Sequence, residues 1–262
     1  MKNKYLVVVC FLLIAATLMA QQQPTARRVI RLRGLVDLTH ALNASTPTYE
    51  ESKEPAFRAT TVATLEKEHY FAREICLPEH FGTHLDAPAH FAKGLWTVDQ
   101  IPTERLMGRL VVIDEREKVK SNADYQFSAQ DLSAWEKANG QVPAHAVVVL
   151  RTGWELRWNS AKDYRNADSK GVMHFPGYSI EAAKLLVEGR QVYGLGIDTL
   201  SIDYGPSPDF PVHQYSLAQG TYHLENVANL ASVPANGALV VVAPMKLEGG
   251  SGSPVRIFAI VQ

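Results

Sequence analysis

The stretch AHAVVVLRT, residues 144–152, contains an unbroken apolar run from Ala146 to Leu150. A strand with one face in solvent alternates apolar and polar residues, whereas a strand covered on both faces is apolar throughout. We therefore predict a strand here that is buried on both sides. Such a strand needs further strands beside it and other elements over its faces, and the rest of the chain supplies candidates for both.

Seven more runs rich in apolar and β-branched residues predict the neighbouring strands. They lie at 33–39, 57–65, 70–77, 108–114, 191–198, 237–244 and 255–262. Several of them are continuous rather than alternating, so the sheet is expected to be covered on both faces.

Two segments between the predicted strands have residues that typically begin and end helices. Ser128 is followed three residues later by Asp131, a capping-box start, and Gly140 marks the end of that helix. A second helical pattern runs from Ser179 to Gly189. Because strands outnumber helices, we predict an α/β fold: a mixed β-sheet or barrel-like core flanked by helices in a single domain.

The amino-terminal segment resembles a targeting sequence. Lys2 and Lys4 precede an apolar run that ends near the small residue Ala20, which is the order of a secretory signal peptide. The alternative is a membrane anchor, but the uncharged run is short for a span of about 20 residues. We predict export to the periplasm or medium, with no stable membrane association after cleavage. The predicted organisation is a signal peptide over 1–20, a flexible lead-in over 21–29 and one domain over 30–262.

Charge and cysteine content exclude some classes of protein. The net charge is −1 without a basic run, so no nucleic-acid partner is expected and a small molecule is the predicted partner. Cys76 is the one cysteine beyond the predicted signal peptide, so an internal disulfide is not possible. Its apolar strand context predicts a buried, unreactive side chain.

The stretch PEHFGTHLDAPAHF, residues 78–91, holds three of the nine histidines of the chain. Gly82 and Pro88 disfavour a regular helix and predict a turn or strand end. Two imidazoles and a carboxylate could converge there as ligands suited to Zn²⁺ or Mn²⁺. The alternative is a solvated histidine-rich loop, although the aspartate and third histidine make chance a weaker explanation. The residues concerned are His80, His84, Asp86 and His90.

HFGTHLDAPAHF resembles the His-x-Gly-Thr-His-x-Asp-x-Pro-x-His signature of the cyclase family, which includes bacterial kynurenine formamidases and isatin hydrolases. The resemblance extends over nearly the whole chain after the predicted signal peptide. VHQYSLAQGTYHLENVANL (212–230) is similar to the distal His and Glu-Asn pair of the family, and GIDTLSIDYG (196–205) to the stretch before it. VDLTHAL (36–42) and TPTY (46–49) resemble its opening strand and substrate loop.

The resemblance implies a cyclase-like swivelling β/β/α fold and a set of roles. It makes His80, His84 and Asp86 ligands of a first metal, and lets Asp86 bridge to a second metal held with His213 and Glu225. The resemblance does not decide between one and two metal ions, or between Zn²⁺ and Mn²⁺. His90 corresponds to the catalytic histidine, and with a pKa near neutrality it would accept a proton from a metal-activated water and pass it to the departing nitrogen. The implied reaction is hydrolysis of an N-formyl aryl amine or a cyclic amide.

Departures from the family concern the substrate. Related kynurenine formamidases carry a Trp-Pro-Gly-Asp segment where this chain has Tyr49 followed by two glutamates. Tyr49 is predicted to stack on a flat aromatic substrate; the alternative is an ordinary surface aromatic. Kynurenine breakdown is intracellular, which fits poorly with export. His223 would share a strand face with Glu225 and could support the site, but an ordinary core or surface histidine is the favoured interpretation.

Other classes of function stay open at this point. A non-catalytic periplasmic metal- or ligand-binding protein could keep the same loop for structure. A lactone hydrolase or dehydratase could use the same metal. Serine-hydrolase and dinucleotide-binding motifs are absent from the sequence. The family resemblance also implies a homodimer or a larger homo-oligomer.

Overall fold

The structure, a computed structural model, describes residues 32–51 and 54–261. The predicted signal peptide and lead-in lie outside the described residues. The strands of the described part are β1 (Gly34–Asp37), β2 (Arg58–Ala63), β3 (Ala72–Cys76), β4 (His84–Asp86), β5 (Met107–Asp114), β6 (Gln126–Phe127), β7 (Val147–Arg151), β8 (Gly177–Tyr178), β9 (Gly194–Ile197), β10 (Tyr222–Glu225), β11 (Ala238–Pro244) and β12 (Gly252–Val261).

Seven strands close into a barrel. The large sheet has the order β1-β12-β11-β5-β7-β9-β10-β4, and β4 also pairs with the start of β12, where Gly252 lies opposite Asp86. β1 pairs with the far end of β12. The contacts of β7 with β5 and β9, and of β9 with β10, are parallel, whereas the other pairs are antiparallel. The predicted mixed, barrel-like sheet is confirmed.

Successive residues of the barrel strands belong to two different cores. Leu110 and Val112 of β5 lie in the cluster enclosed by the ring of strands. Val111 and Ile113 belong to a second cluster on the outer face, beneath the helices. This alternation follows from the period of two in a strand. It explains why β5 and β7 are apolar throughout.

The described helices lie outside the barrel. They are α1 (Arg116–Ser121), α2 (Ala129–Asn139), α3 (Ala161–Arg165), α4 (Ile180–Lys184) and α5 (Pro211–Ala218). The first predicted helix is α2, with the capping box of Ser128 and Asp131 and a positive φ of 89° at Gly140. The second predicted helix is α4, which continues as a π-helical turn over Leu185–Gly189. The helix α5, which the sequence patterns did not predict, begins with proline, a residue suited to the first helical turn.

Strands β2 and β3 form a separate two-stranded hairpin. Cys76 is exposed there, so the prediction of a buried thiol was wrong. The physical reason is that the hairpin is not part of the barrel, and apolar residues such as Val62 and Ile75 are exposed in it as well. The Cys76 sulfur accepts a hydrogen bond from Arg58 at 3.1 Å. Over the residues that the structure describes, no helix has the length and apolar character needed to cross a membrane.

Candidate active site

The register of β4 against β10 brings four polar side chains together. Asp86 lies directly opposite His223, and His84 lies opposite Glu225. All four project from the outer face, because the intervening leucines of both strands belong to the core inside the barrel. Residues opposite each other on one face of an antiparallel pair are close enough for their side chains to interact. The strand register therefore builds the floor of the site.

The helix α5 adds His213 to this floor. The backbone amides of Val212 and His213, in the first turn of α5, donate to the carboxylate of Asp203 at 2.9 and 3.0 Å. The His213 Nδ1 donates to the same carboxylate at 2.7 Å. Its Nε2, which carries the lone pair when the ring is neutral, faces Asp86 Oδ2 at 3.3 Å and Glu225 Oε1 at 3.2 Å.

The orientation of His84 is set by the backbone before β4. Its Nδ1 donates to the Gly82 carbonyl oxygen at 2.9 Å, so Nε2 carries the lone pair when the ring is neutral. That nitrogen lies 3.2 Å from Asp86 Oδ1 and 3.4 Å from Glu225 Oε2. Gly82 has a φ of 63°, and a Cβ there would overlap the Leu42 side chain, so only glycine fits.

His80 reaches the other side of Asp86. Its Nδ1 lies 2.6 Å from Asp86 Oδ1, and its Nε2 lies 3.0 Å from the Ser251 hydroxyl. That hydroxyl donates to the Glu79 carboxylate at 2.7 Å, so its oxygen accepts the proton of the His80 Nε2. A Cβ at Gly252 would overlap the His80 ring, so this glycine makes room for the imidazole.

The buried charges of the site influence one another strongly. Burial by itself raises the pKa of Asp86, but the neighbouring imidazoles, His84 first, hold it well below its usual range. Burial by itself lowers the pKa of His84, yet the charge of Asp86 raises it to about 9. The pKa of His213 is likewise raised well above 6.5, against its burial, by hydrogen bonds with Asp203, Asp86 and Glu225.

The donor atoms fit a metal site. Imidazole nitrogens whose other nitrogen is hydrogen-bonded to an outer partner converge on two carboxylates, as is usual for metal-ligating histidines. Within the described part of the chain, Asp86 Oδ2 and His223 Nδ1 are buried and have no hydrogen-bond partner. The atoms form two groups that share Asp86: one of His80, His84 and Asp86, and one of Asp86, His213, His223 and Glu225. This donor set suits Zn²⁺ or Mn²⁺.

A cavity of about 630 Å³ opens above these residues. Tyr49, Phe91 and Phe210 line it, with the Phe210 ring 5.8 Å from Tyr49 and 5.9 Å from Phe91 between centroids. The Phe91 ring centroid lies 5.0 Å from that of His213. The cavity thus joins a polar floor to aromatic walls.

His90 lies at the edge of the floor. It ends a short 3₁₀ turn, Pro88–His90, and its ring stacks on His80 with a centroid distance of 4.0 Å. Burial lowers the pKa of His90 to about 4, against the pull of the Asp86 charge. The expected pKa near neutrality was therefore wrong, and the reason is the loss of water around the ring. The imidazole is neutral at pH 7.

The structure brings all the predicted site residues to one cavity, Tyr49 included. It also adds residues that the sequence analysis gave no role. Phe91 and Phe210 were not singled out, although Phe91 directly follows the motif histidine. Asp203, from the stretch before the distal histidine, orients His213, whereas Asp198 of the same stretch binds the backbone of Thr152 and lies away from the cavity.

His223 differs from the interpretation favoured from sequence. It is fully buried, and burial lowers its pKa to about 4. It is nevertheless not surrounded only by core residues, because its Nδ1 lies 3.7 Å from Asp86 Oδ2. The signal in the sequence was its spacing of two residues from Glu225 on a strand.

The barrel, the floor of carboxylates and histidines and the aromatic cavity are consistent with a metal-dependent hydrolase, and comparisons with known proteins identify the family. The Cyclase family model matches residues 36–204, more than half of the chain. The chain belongs to the cyclase family. The prediction of a metal-dependent amidohydrolase is confirmed with it.

Particular relatives point to two activities. Isatin hydrolase of Roseibium aggregatum is 34% identical over 193 residues, covering 71% of this chain and 73% of the relative. Kynurenine formamidase of Salinibacter ruber is 23% identical, covering 85% and 95%. The structure of isatin hydrolase A from Labrenzia aggregata bound to benzyl benzoate superposes with a TM-score of 0.82 at 34% identity, covering 87% of this chain and 93% of that one.

Proposed function

We propose that the protein hydrolyses the amide bond of a small aromatic amide, either a cyclic amide such as isatin or an N-formyl aryl amine. The observation that carries the proposal is the meeting of the polar floor with aromatic walls in one cavity of about 630 Å³. A cavity of that size accommodates a one- or two-ring molecule. The 34% identity with an isatin hydrolase favours the cyclic amide.

The metal ligands of this proposal are the residues of the floor. His80, His84 and Asp86 would hold one divalent cation, and Asp86 would share a second with His213 and Glu225. Zn²⁺ and Mn²⁺ are both suited to these donors. A cation held there polarises a carbonyl group and lowers the pKa of water.

His90 is proposed as the acid and base. Its neutral ring faces the cavity beside His80 and accepts a proton as water adds to the carbonyl carbon. The same proton then goes to the nitrogen as the C–N bond breaks, so the ring ends neutral. A pKa lowered by burial makes the protonated ring a strong acid toward the departing nitrogen.

The aromatic residues are proposed to position the substrate. Phe91 and Phe210 both lie beside His213, with ring-centroid distances of 5.0 and 5.7 Å. Tyr49 contacts Phe210 from the loop before β2. A flat ring placed against these side chains gains offset or edge contacts worth about 1 kcal/mol each beyond area burial.

The test is a substrate comparison with the metal-loaded protein. Isatin, formanilide, N-formylkynurenine and an aromatic lactone of similar size are each incubated with protein of measured Zn and Mn content, and product is followed by absorbance. Turnover of an amide that depends on added metal and stops with chelator supports the proposal. Turnover of the lactone alone, or of none of them by fully loaded protein, contradicts it.

We also propose that the mature protein is exported and forms a homodimer or a larger homo-oligomer. Export is supported by the order of charged, apolar and small residues over 1–20. An oligomer is supported by exposed apolar side chains on the β2–β3 hairpin, among them Val62, Tyr70 and Phe71. Amino-terminal sequencing of the protein from a cell fraction and light scattering of the purified protein test the two proposals. An intact amino terminus in the cytoplasm, or a monomer at micromolar concentration, contradicts them.

A further inference from the structure

His223 lies on β10, in the floor of the site. Its side chain is fully buried. One ring nitrogen, Nε2, lies 2.7 Å from the hydroxyl of Ser216 on α5. The other, Nδ1, points toward Asp86 on the neighbouring strand. Which of the two nitrogens carries the hydrogen decides what the residue can do.

The hydrogen bonds of Ser216 determine which tautomer of His223 is present. Its hydroxyl oxygen lies 2.6 Å from the Val212 carbonyl oxygen, which can only accept a hydrogen bond. The single hydroxyl hydrogen is therefore donated to Val212. The oxygen of Ser216 is left to accept, so the hydrogen of the imidazole is on Nε2. The lone pair of the neutral His223 ring is consequently on Nδ1.

That lone pair faces a second unshared acceptor. His223 Nδ1 lies 3.7 Å from Asp86 Oδ2, which is too long for a hydrogen bond. Both atoms are buried and neither meets the geometry of a hydrogen bond in the described residues, although His213 Nε2 lies 3.3 Å from Asp86 Oδ2. A buried polar atom without a partner destabilises the fold, so two acceptors that face each other are unfavourable unless a positively charged group lies between them.

A purely structural histidine does not account for this arrangement. Such a residue would have both nitrogens paired or its unpaired nitrogen against water. Here the rings of His223 and His213 meet edge to face at 4.7 Å between centroids. One ring nitrogen of each of these histidines lies with carboxylate oxygens of Asp86 and Glu225 in a group of potential ligand atoms that are all within 4.8 Å of one another.

The second cation of the proposed function is the one held by Asp86, His213 and Glu225. We infer that His223 Nδ1 is a further ligand of this cation. This inference rests on the proposed function, because it assumes that the floor binds metal. Two imidazoles and two carboxylates make a closed, four-ligand site. All four residues are buried, whereas His80 in the other group is partly exposed. A cation held by these four residues would fix the position of Asp86, which both groups share.

The experiment is a metal titration of the chelator-treated full chain with Mn²⁺, Zn²⁺ and Co²⁺ by calorimetry. His223→Gln removes the proposed ligand. Ser216→Ala removes the group that sets its tautomer. His69→Asn, at an exposed turn residue with a φ of 62°, is the matched loss of a histidine away from the site. Near-UV circular dichroism checks the fold of each variant.

The expected result is that one equivalent binds at least about tenfold more weakly to His223→Gln, and the Co²⁺ absorption bands shift because a nitrogen ligand is lost. Ser216→Ala weakens the same equivalent by a smaller factor, and His69→Asn binds as the wild type does. Unchanged stoichiometry, affinity and Co²⁺ spectrum in His223→Gln would overturn the inference.

If His223→Gln does not fold, the decision passes to Ser216→Ala. Weaker binding of one equivalent then supports the inference, and wild-type binding overturns it. The two proposals fail separately in these measurements. Absence of amide turnover with the expected metal pattern removes only the substrate proposal, whereas turnover with unchanged metal binding in His223→Gln removes only the ligand inference.

Discussion

The two faces of β4 and β10 have opposite chemistry. Leu85 and Leu224 point into the barrel and are fully buried among apolar neighbours. Asp86 and His223, one residue away along each strand, point outward into the cluster of charged and imidazole groups. A one-residue change of register would exchange the two sets. The inward leucines therefore hold the outward ligands in position.

The outer face of the barrel is apolar on other strands. On β7 and β9 the outward residues Val148 and Leu195 are covered by apolar residues of the helices. Near β4 and β10 the outer face carries Asp86, His223, His84 and Glu225, and helix α5 adds His213 to them. The apolar residues inside the barrel therefore stabilise the fold, whereas the outward-facing residues of β4 and β10 form the candidate active site.

The largest loss of metal binding and activity is expected from substitution of Asp86, which belongs to both groups of potential ligands. Asp86→Asn leaves the shape of the side chain but removes the charge shared by both ligand groups. We expect metal content to fall below about one tenth of the wild-type value and hydrolysis to fall by about 10⁴-fold or more. Elemental analysis and initial rates measure both losses. Full metal content in Asp86→Asn would contradict the shared role of this carboxylate.

Substitution of His90, which lies beside the floor, tests whether metal binding and catalysis can be separated. His90→Ala removes the base without removing any member of either ligand group. We expect kcat to fall about 10²–10⁴-fold while metal content stays at the wild-type level. Loss of metal together with activity would place His90 among the ligands, and undiminished activity would exclude it as the acid and base.

A change on the inward face tests the other half of the comparison. Leu224→Ala creates a cavity inside the barrel and is expected to lower the free energy of unfolding by about 2–5 kcal/mol. Urea unfolding of the apo-protein measures the loss. Metal stoichiometry of the folded variant should be unchanged. Metal loss at temperatures where the variant is fully folded would show that the two faces are not independent.

The raised pKa values of the floor predict opposite pH effects on stability and binding. A histidine whose pKa is raised in the folded protein contributes stability below its ordinary pKa of 6.5, and this contribution disappears as pH rises through about 9 for His84. The apo-protein should lose on the order of 3 kcal/mol over that window.

Metal affinity should rise over the same window, because ligation requires unprotonated imidazoles. Thermal unfolding at pH 6.5 and 9, with and without Mn²⁺, measures both trends. An apo-protein that becomes more stable from pH 6.5 to 9 would show that the imidazoles are not charged when the metal is absent.

The smallest effect is expected from a single added methyl group. Gly252→Ala places a Cβ against the His80 ring, whereas Gly34→Ala, also in a strand, has open space around its Cβ. We expect the first variant to bind one metal equivalent about tenfold more weakly and the control to bind as the wild type does. Equal affinities would mean that His80 can move without loss of the metal.

Much of the fold was predictable because its signal is local. The runs that became β5, β7 and β11 are long and apolar, and α2 is bounded by its own caps. The short strands β4 and β10 were not predicted as runs, since they carry acids and histidines where core residues would stand. Their pairing with each other, and not their composition, makes them strands.

The site was predictable to the extent that its residues follow one another in motifs. His80, His84, Asp86 and His90 are close in sequence, and the family resemblance added His213 and Glu225. Phe91 and Phe210 could not be found in that way, because a cavity wall is made by segments far apart in the chain. The pKa of His90 was misjudged because burial is not visible in sequence.

The sequence by itself determined the ligand types, their spacing, the family and the alternation of apolar and polar residues on the strands, since all of these are properties of neighbouring residues. Tertiary structure decided which nitrogen of each histidine is free. His80 depends on Ser251, 171 residues away, and His84 depends on a carbonyl that Asn226 also binds. It also brought His223 against Asp86. Hydrogen bonds between distant segments set these tautomers, and only the closed barrel brings those segments together.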